Sequence, residues 1–286
     1  MLSEIQSFVN WVRRRNPQAR TWKDYQYDLN QVVTFLGDIP LEKVTFREVD
    51  RCVNAQVAEG RKPTTINRRL ATLISLFTFL SDEQPDLVCP VLPHRHHLRE
   101  PQRLPRPVPE PELAQFFAVI TDIRDRAMFG LMLRCGLRIG EVAELRLADL
   151  FLEEPRPRLV ARGKGSRERA VYLSPQAEKA VRAYLDKRPE VPSDYVFLSY
   201  QLDGLSTTAI HKRLMGYREA AGVTLTAHQL RHSFATQLLQ ADVPVTTIQQ
   251  LLGHRWLEST QTYVMANDPM VQADYFAACE KLEGWQ

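Results

Sequence analysis

The chain has 286 residues, 44% of them hydrophobic and 25% charged, with a formal net charge of +3. That length favours two cores over one, and the composition is that of an ordinary globular protein, which excludes disordered and collagen-like classes. No apolar run reaches the length of a membrane span, and the opening MLSEIQSFVNWVRRR lacks the basic, apolar and small-residue zones of a signal peptide.

The first stretch, to about residue 83, reads as helices. Trp22, Tyr25, Leu29, Val32, Val33 and Leu36 recur near helical spacing and predict a helix over 21–37. Thr45 with Glu48 three places on fits a capping box that opens a helix over 45–59. Over 64–80, Ile66, Leu70, Leu73, Ile74 and Phe77 line one face, and Thr64, Arg68 and Thr72 line the opposite one.

From Pro85 to Pro111 the composition changes. Pro90, Pro93, Pro101, Pro105, Pro107 and Pro109 alternate with His94, Arg95, His96, His97, Arg99, Arg103 and Arg106. Prolines this dense break helices and central strands, so 86–108 is expected to be an extended basic linker. It separates a helical domain over 1–85 from a second domain over 109–286. Residues 1–108 hold 16 Lys and Arg against 12 Asp and Glu, so the positive balance lies in the first part of the chain.

The second stretch is mainly helical with a small β element. Helices are predicted over 110–119 and 122–134, with Gly136 ending the second, and over 139–147. Short alternations at 158–162 and 168–173 around Gly163-Lys164-Gly165-Ser166 predict a β-hairpin. Ser174-Pro175 starts the next helix. Further helices are expected at 207–221, 227–240, 246–252, 258–264 and 270–282.

Cys52, Cys89, Cys135 and Cys279 are scattered, with no C-x-x-C pair, and suggest neither a zinc site nor a disulfide framework. His94, His96 and His97 have no carboxylate or cysteine partner at ligand spacing. No metal site is expected.

Four segments carry the chemistry. In Cys135-Gly136-Leu137-Arg138-Ile139-Gly140-Glu141, an arginine stands where a helix begins and can present its planar fork to a phosphate. Lys164 sits at a hairpin tip, from which it can reach into a groove. In His228-Gln229-Leu230-Arg231-His232, His228 and Arg231 share a helix face. A proton-exchanging imidazole beside a phosphate-holding guanidinium suits phosphoryl transfer; His232 reads as a supporting or packed histidine. Leu252-Gly253-His254 is followed nine residues later by Tyr263. Each segment alone also has an ordinary reading: a surface ion pair, a solvated turn, a packed histidine, a core tyrosine.

Taken in order, these segments resemble the tyrosine recombinases of the phage integrase family, in the small two-domain form of the Xer-type enzymes. The resemblance is specific over 135–264 and only architectural over 1–85. It implies a mainly α fold: an N-terminal helical, SAM-like core-binding domain and a C-terminal, mostly helical catalytic domain with a small β-sheet. It implies site-specific cutting and rejoining of double-stranded DNA through a 3′-phosphotyrosyl link and a Holliday junction, without metal, ATP or other cofactor. No G-x-x-x-x-G-K-[ST] segment is present. Tyr263 matches the nucleophile, Arg138 and Arg231 the phosphate clamp, and His228 the histidine that assists proton transfer. Lys164 matches the lysine that protonates the 5′-oxygen, with a pKa expected to be lowered. His254 matches the residue that bonds the phosphate or orients the tyrosine, and Glu141 the acid that supports the first arginine. Gly140 departs from the serine common there, which touches packing and a minor hydrogen bond and puts no catalytic role in doubt.

In the N-terminal domain, Lys62, Thr64, Asn67, Arg68 and Arg69, with Arg61, are expected to face the duplex, so that the two domains and the linker form a clamp with salt-sensitive affinity. The expected assembly is a homotetramer on paired sites, with a second recombinase or accessory proteins as further partners, no membrane, and a cytoplasmic, nucleoid-associated location. The C-terminal helix is expected to dock on a neighbouring protomer or on its own domain. The alternatives are a catalytically silent DNA-binding protein on the same fold and a relaxing topoisomerase of related chemistry that acts as a monomer.

Overall fold

The computed structural model of the chain describes residues 1–15, 17, 21–100, 108–163, 167–253 and 269–283. The chain divides into two compact units, Met1–Arg103 and Leu104–Gln286.

The first unit is built from α1 (Leu2–Arg15), α2 (Thr21–Leu36), α3 (Phe46–Ala58), α4 (Pro63–Leu80) and the single turn α5 (Pro93–His96). Thr45 and Glu48 form the expected capping box at the start of α3. Phe8, Leu29, Val49, Ile66, Leu73, Leu76 and Phe77 make the core. Thr72, expected on the outer face of α4, is buried instead and donates to Asp28 Oδ2 at 3.4 Å. Asp28 on α2 is itself 1% exposed, and a carboxylate so placed needs polar partners.

Residues 91–98, expected to be extended linker, pack on this unit. Val91 joins its core, and Pro93 opens α5 rather than breaking it, since proline at the first helical position loses no hydrogen bond. Arg95 grips both oxygens of Asp50 on α3, and buried His96 accepts from the Leu92 amide at 2.8 Å. His94 and His97 are exposed. Residues 101–107, with Arg103 and Arg106, lie outside the described residues.

The second unit contains α6 (Glu110–Ala118), α7 (Ile123–Arg134), α8 (Ile139–Ala143), a three-stranded antiparallel sheet of β1 (Leu150–Phe151), β2 (Arg158–Gly163) and β3 (Arg167–Tyr172), then α9 (Pro175–Leu185), α10 (Thr207–Ala221), α11 (Ala227–Gln240), α12 (Val245–Leu252) and α13 (Pro269–Glu283). Helix α8 is shorter than expected, and a 3-10 turn at Leu147–Asp149 replaces its end. The expected helix over 258–264 lies outside the described residues. Helix α7 buries residues on every face, including Ala127, Met128, Phe129, Leu131 and Met132, and so forms the centre of the unit. Its N-terminus is tied to α10 by buried Asp125, which accepts from Arg213 and Tyr217.

A second apolar cluster joins α11, α12 and α13 through Phe234, Leu238, Leu251, Leu252, Tyr275, Ala278 and Cys279. The Tyr275 hydroxyl donates to the Arg134 carbonyl at 3.1 Å, and Thr247 donates to Asp274 at 3.2 Å. The C-terminal helix is therefore docked on its own domain in this chain. Among the described residues, no helix is long and apolar enough to cross a membrane, and no group of three or more His, Cys, Asp or Glu is placed to hold a metal.

Candidate active site

The site lies where the α7–α8 corner, the first turns of α11, strand β3 and the end of α12 meet. Gly136, at φ +65, turns the chain out of α7; a Cβ there would stand 2.5 Å from the Phe234 ring. The reversal brings Arg138 to the N-cap of α8. Glu141 is only 4% exposed and lies at the centre of the site.

Four hydrogen bonds converge on the Glu141 carboxylate. Arg138 donates its backbone N–H to Oε2 at 2.7 Å and Nη1 to Oε1 at 2.8 Å. Arg169 donates Nη1 to Oε1 at 2.6 Å and Nη2 to Oε2 at 2.9 Å. A carboxylate has about four lone-pair positions, so Glu141 is saturated. Burial alone would raise its pKa, but the bonds and charges of Arg169, then Arg138, outweigh this and hold it below the usual value.

Arg231 approaches the same carboxylate at 3.8 Å without bonding to it. Its guanidinium instead donates to the carbonyls of Gly136 and Leu252. Burial, followed by the charges of Arg138 and Arg169, pushes Arg231 down to about 9, which leaves it cationic at neutral pH. Three guanidiniums thus surround one carboxylate. The surplus positive charge, focused in a partly buried site, suits an incoming phosphate.

His228 stands one helical turn before Arg231, with its ring partly covered and partly open to solvent. Its ring meets that of His232 edge-on at 4.2 Å between centroids. Partial burial, then the charges of His232, Arg231 and Arg138, lower its pKa, so the neutral, proton-accepting imidazole prevails at neutral pH.

The structure therefore brings together Arg138, Glu141, His228 and Arg231 of the residues singled out in the sequence. Lys164, His254 and Tyr263 lie outside the described residues. The chain leads towards them at defined places: β2 ends at Gly163, and Gly253 closes α12 at φ +61 immediately before His254.

Arg169 was missed as a site residue. The signal for it was strand alternation: it shares the inward face of β3 with buried Val171, and pairs across the sheet with the small residue Ala161.

In the first unit, Lys62, Thr64 and Arg68 are exposed. Arg68 pairs with Asp28 at 2.7 Å while its side chain stays 54% exposed. Arg69 corrects the expectation of duplex contact. It is 2% exposed and donates to Gln56 and Gln31, because α4 turns that position onto α2 and α3. Asn67 is also committed within the chain: its amide nitrogen donates to the Leu98 carbonyl and Glu100, and its oxygen accepts from the Leu98 amide. These bonds lay Arg99 beside the first half of α4.

Comparison with known proteins agrees with this arrangement. The family model for the phage integrase family matches residues 108–269, and that for the phage integrase N-terminal SAM-like domain matches 2–84. The chain is 30% identical to the tyrosine recombinase XerC of Listeria monocytogenes serotype 4a (strain HCC23), covering 94% of this chain and 95% of that one. It is 31% identical to the tyrosine recombinase XerD of Lacticaseibacillus casei, covering 95% and 96%. Among solved structures, it shares its fold with a lambda integrase tetramer bound to a Holliday junction, at a TM-score of 0.71 and 19% identity, covering 92% of this chain and 80% of that one. The mostly helical two-part fold, the saturated carboxylate ringed by arginines and the two family matches lead to one conclusion: this chain belongs to the phage integrase family and is a tyrosine recombinase, an enzyme that cuts and rejoins DNA.

Proposed function

We propose that the chain performs site-specific recombination between two DNA sites, with Tyr263 as the nucleophile and Arg138 and Arg231 as the clamp on the scissile phosphate. The observation that carries this reading is the saturation of Glu141 by Arg138 and Arg169. It leaves Arg138, Arg169 and Arg231 sharing one carboxylate, a surplus of positive charge that a phosphodiester completes and that its more highly charged transition state completes better.

In this reading the Tyr263 oxygen attacks phosphorus as the bond to the 5′-oxygen breaks. The tyrosine proton passes to His228, whose lowered pKa keeps it ready to accept. Lys164 donates a proton to the departing 5′-oxygen, and His254 bonds the phosphate or orients Tyr263. The 3′-phosphotyrosyl ester retains the bond energy, so a 5′-hydroxyl from the partner strand reverses the step without ATP. Two such exchanges pass through a Holliday junction, which calls for four protomers on two sites. Lys62, Thr64 and Arg68 supply contacts to the duplex backbone. The enzyme would work in the cytoplasm, on the nucleoid.

The test is covalent trapping. Duplexes that the protein selects from a random-sequence library define its site, and a nicked version serves as a suicide substrate. We expect a denaturant-resistant protein–DNA adduct that is absent with Tyr263→Phe and unaffected by chelators. Tight binding without an adduct would sink the catalytic reading.

A further inference from the structure

Arg169 takes no part in the chemistry above, yet it joins three elements of the site. Its Nε donates to the Leu251 carbonyl on α12 at 2.9 Å, and its two Nη atoms hold both oxygens of Glu141 on α8. Its own strand, β3, begins three residues after Lys164 in the sequence. We propose that Arg169 is a positioning residue for strand cleavage: it fixes Glu141 and the end of α12 in one register, so that Arg138 and Arg231 converge on a single phosphate. The inference rests on the recombinase reading.

The geometry of Glu141 gives the reason. Arg169 occupies one lone pair on each carboxylate oxygen and leaves the other two for the backbone and side chain of Arg138. Arg231 waits at 3.8 Å. Without Arg169, two lone pairs of a buried carboxylate are open, and the nearest cation not already hydrogen-bonded to it is Arg231. Closing that gap would draw Arg231 off the Gly136 and Leu252 carbonyls and neutralise it against Glu141 instead of the phosphate. Arg169 therefore keeps Glu141 from capturing a phosphate-binding arginine.

The link to α12 is equally tight. A Cβ added at Gly253 would lie 3.0 Å from Arg169 Cδ, so the chain passes this side chain at glycine distance one residue before His254. Arg169 holds the end of α12 through the Leu251 carbonyl, and Arg231 holds it through that of Leu252. These two bonds fix the last turn of α12, up to Gly253.

The experiment compares wild type, R169A, R169K and R169A/E141Q in the full chain, on nicked duplexes carrying the selected site. It measures duplex affinity and the single-turnover rate of adduct formation. A parallel substrate carries a methylphosphonate at the scissile position. That group has lost the phosphate charge and so needs less from the arginine pair. We expect R169A to bind DNA within a few-fold of wild type and to form adduct about a hundredfold more slowly. R169K should fall between the two, and the double variant should be no slower than R169A. On the methylphosphonate, the R169A defect should shrink to a few-fold, a recovery that a loss of general stability would not produce. If R169A does not fold, R169K carries the same comparison. Wild-type rates in R169A, or an equal defect on both substrates in whichever variant folds, would overturn the proposal. Absence of adduct from wild type itself would overturn the recombinase reading, and this inference with it.

Discussion

The Glu141 carboxylate accepts from Arg138 twice, from the backbone N–H at 2.7 Å and from the guanidinium at 2.8 Å. One buried acid thus caps the helix that Arg138 opens and aims the side chain of Arg138. Because it also receives both Nη atoms of Arg169, its removal would leave three guanidiniums without a counter-charge. Glu141→Ala is expected to destabilise the second unit by roughly 3–5 kcal/mol, the cost of breaking a buried charge cluster from one side. Denaturant unfolding followed by a probe in that unit checks this. A change under about 1 kcal/mol would show that the arginines stay solvated without it.

Arg231 is held by two carbonyls from separate segments, those of Gly136 and Leu252. A planar fork spans them; a lysine ammonium does not. Arg231→Ala is expected to lower the single-turnover cleavage rate on the order of a thousandfold with little change in DNA affinity, and Arg231→Lys should recover little of it. A loss below tenfold would make Arg231 structural.

The pKa of His228 is lowered by partial burial and by the charges of His232, Arg231 and Arg138. Protonated His228 cannot accept the tyrosine proton, so activity falls as pH drops through its pKa in the folded enzyme. That limb of the pH–rate profile should therefore lie below the ordinary histidine value of 6.5. Cleavage rates across pH, for wild type and for His228→Asn, test the assignment. An unchanged limb in the variant would remove His228 from the proton transfer.

Gly136 combines a φ of +65 with 2.5 Å between a hypothetical Cβ and the Phe234 ring. Gly136→Ala carries both left-handed backbone strain and overpacking, and should cost roughly 2–4 kcal/mol. Because the same turn places Arg138 and the carbonyl that holds Arg231, residual activity should fall further than stability alone explains. Thermal unfolding and cleavage by the folded fraction separate the two effects.

Arg69 and Lys62 should behave oppositely. Arg69 is buried on Gln56 and Gln31, so Arg69→Ala should destabilise the first unit by about 2–3 kcal/mol and leave the salt dependence of DNA binding unchanged. Lys62 is exposed, and Lys62→Ala should reduce the slope of log K against log salt by about 1. Binding titrations at several salt concentrations distinguish them.

Local rules carried much of the reading. Thr45 with Glu48, Ser174 before Pro175, and Gly253 mark helix ends from the chain alone, because each acts on backbone groups within a few residues. Arg138, Glu141, His228 and Arg231 were legible because their motifs are short and ordered. Arg68 and Arg69 could not be told apart in this way. They are neighbours of equal charge, and only the packing of α4 on α2 and α3 turns one to solvent and buries the other. Residues 91–98 were misread for a related reason: proline content reports what a segment cannot do, not what it packs against.

The sequence alone thus determined the family, the order of its motifs and several of the places where helices begin and stop, since these depend on residue type and near-neighbour backbone chemistry. Tertiary structure decided that Arg169 completes the lone pairs of Glu141 from a strand 28 residues away, that Arg231 is held by carbonyls rather than by that acid, and that the C-terminal helix closes on its own domain. Each of these is a long-range competition for a limited number of donors, acceptors and buried positions, and it is resolved only when distant segments are packed together.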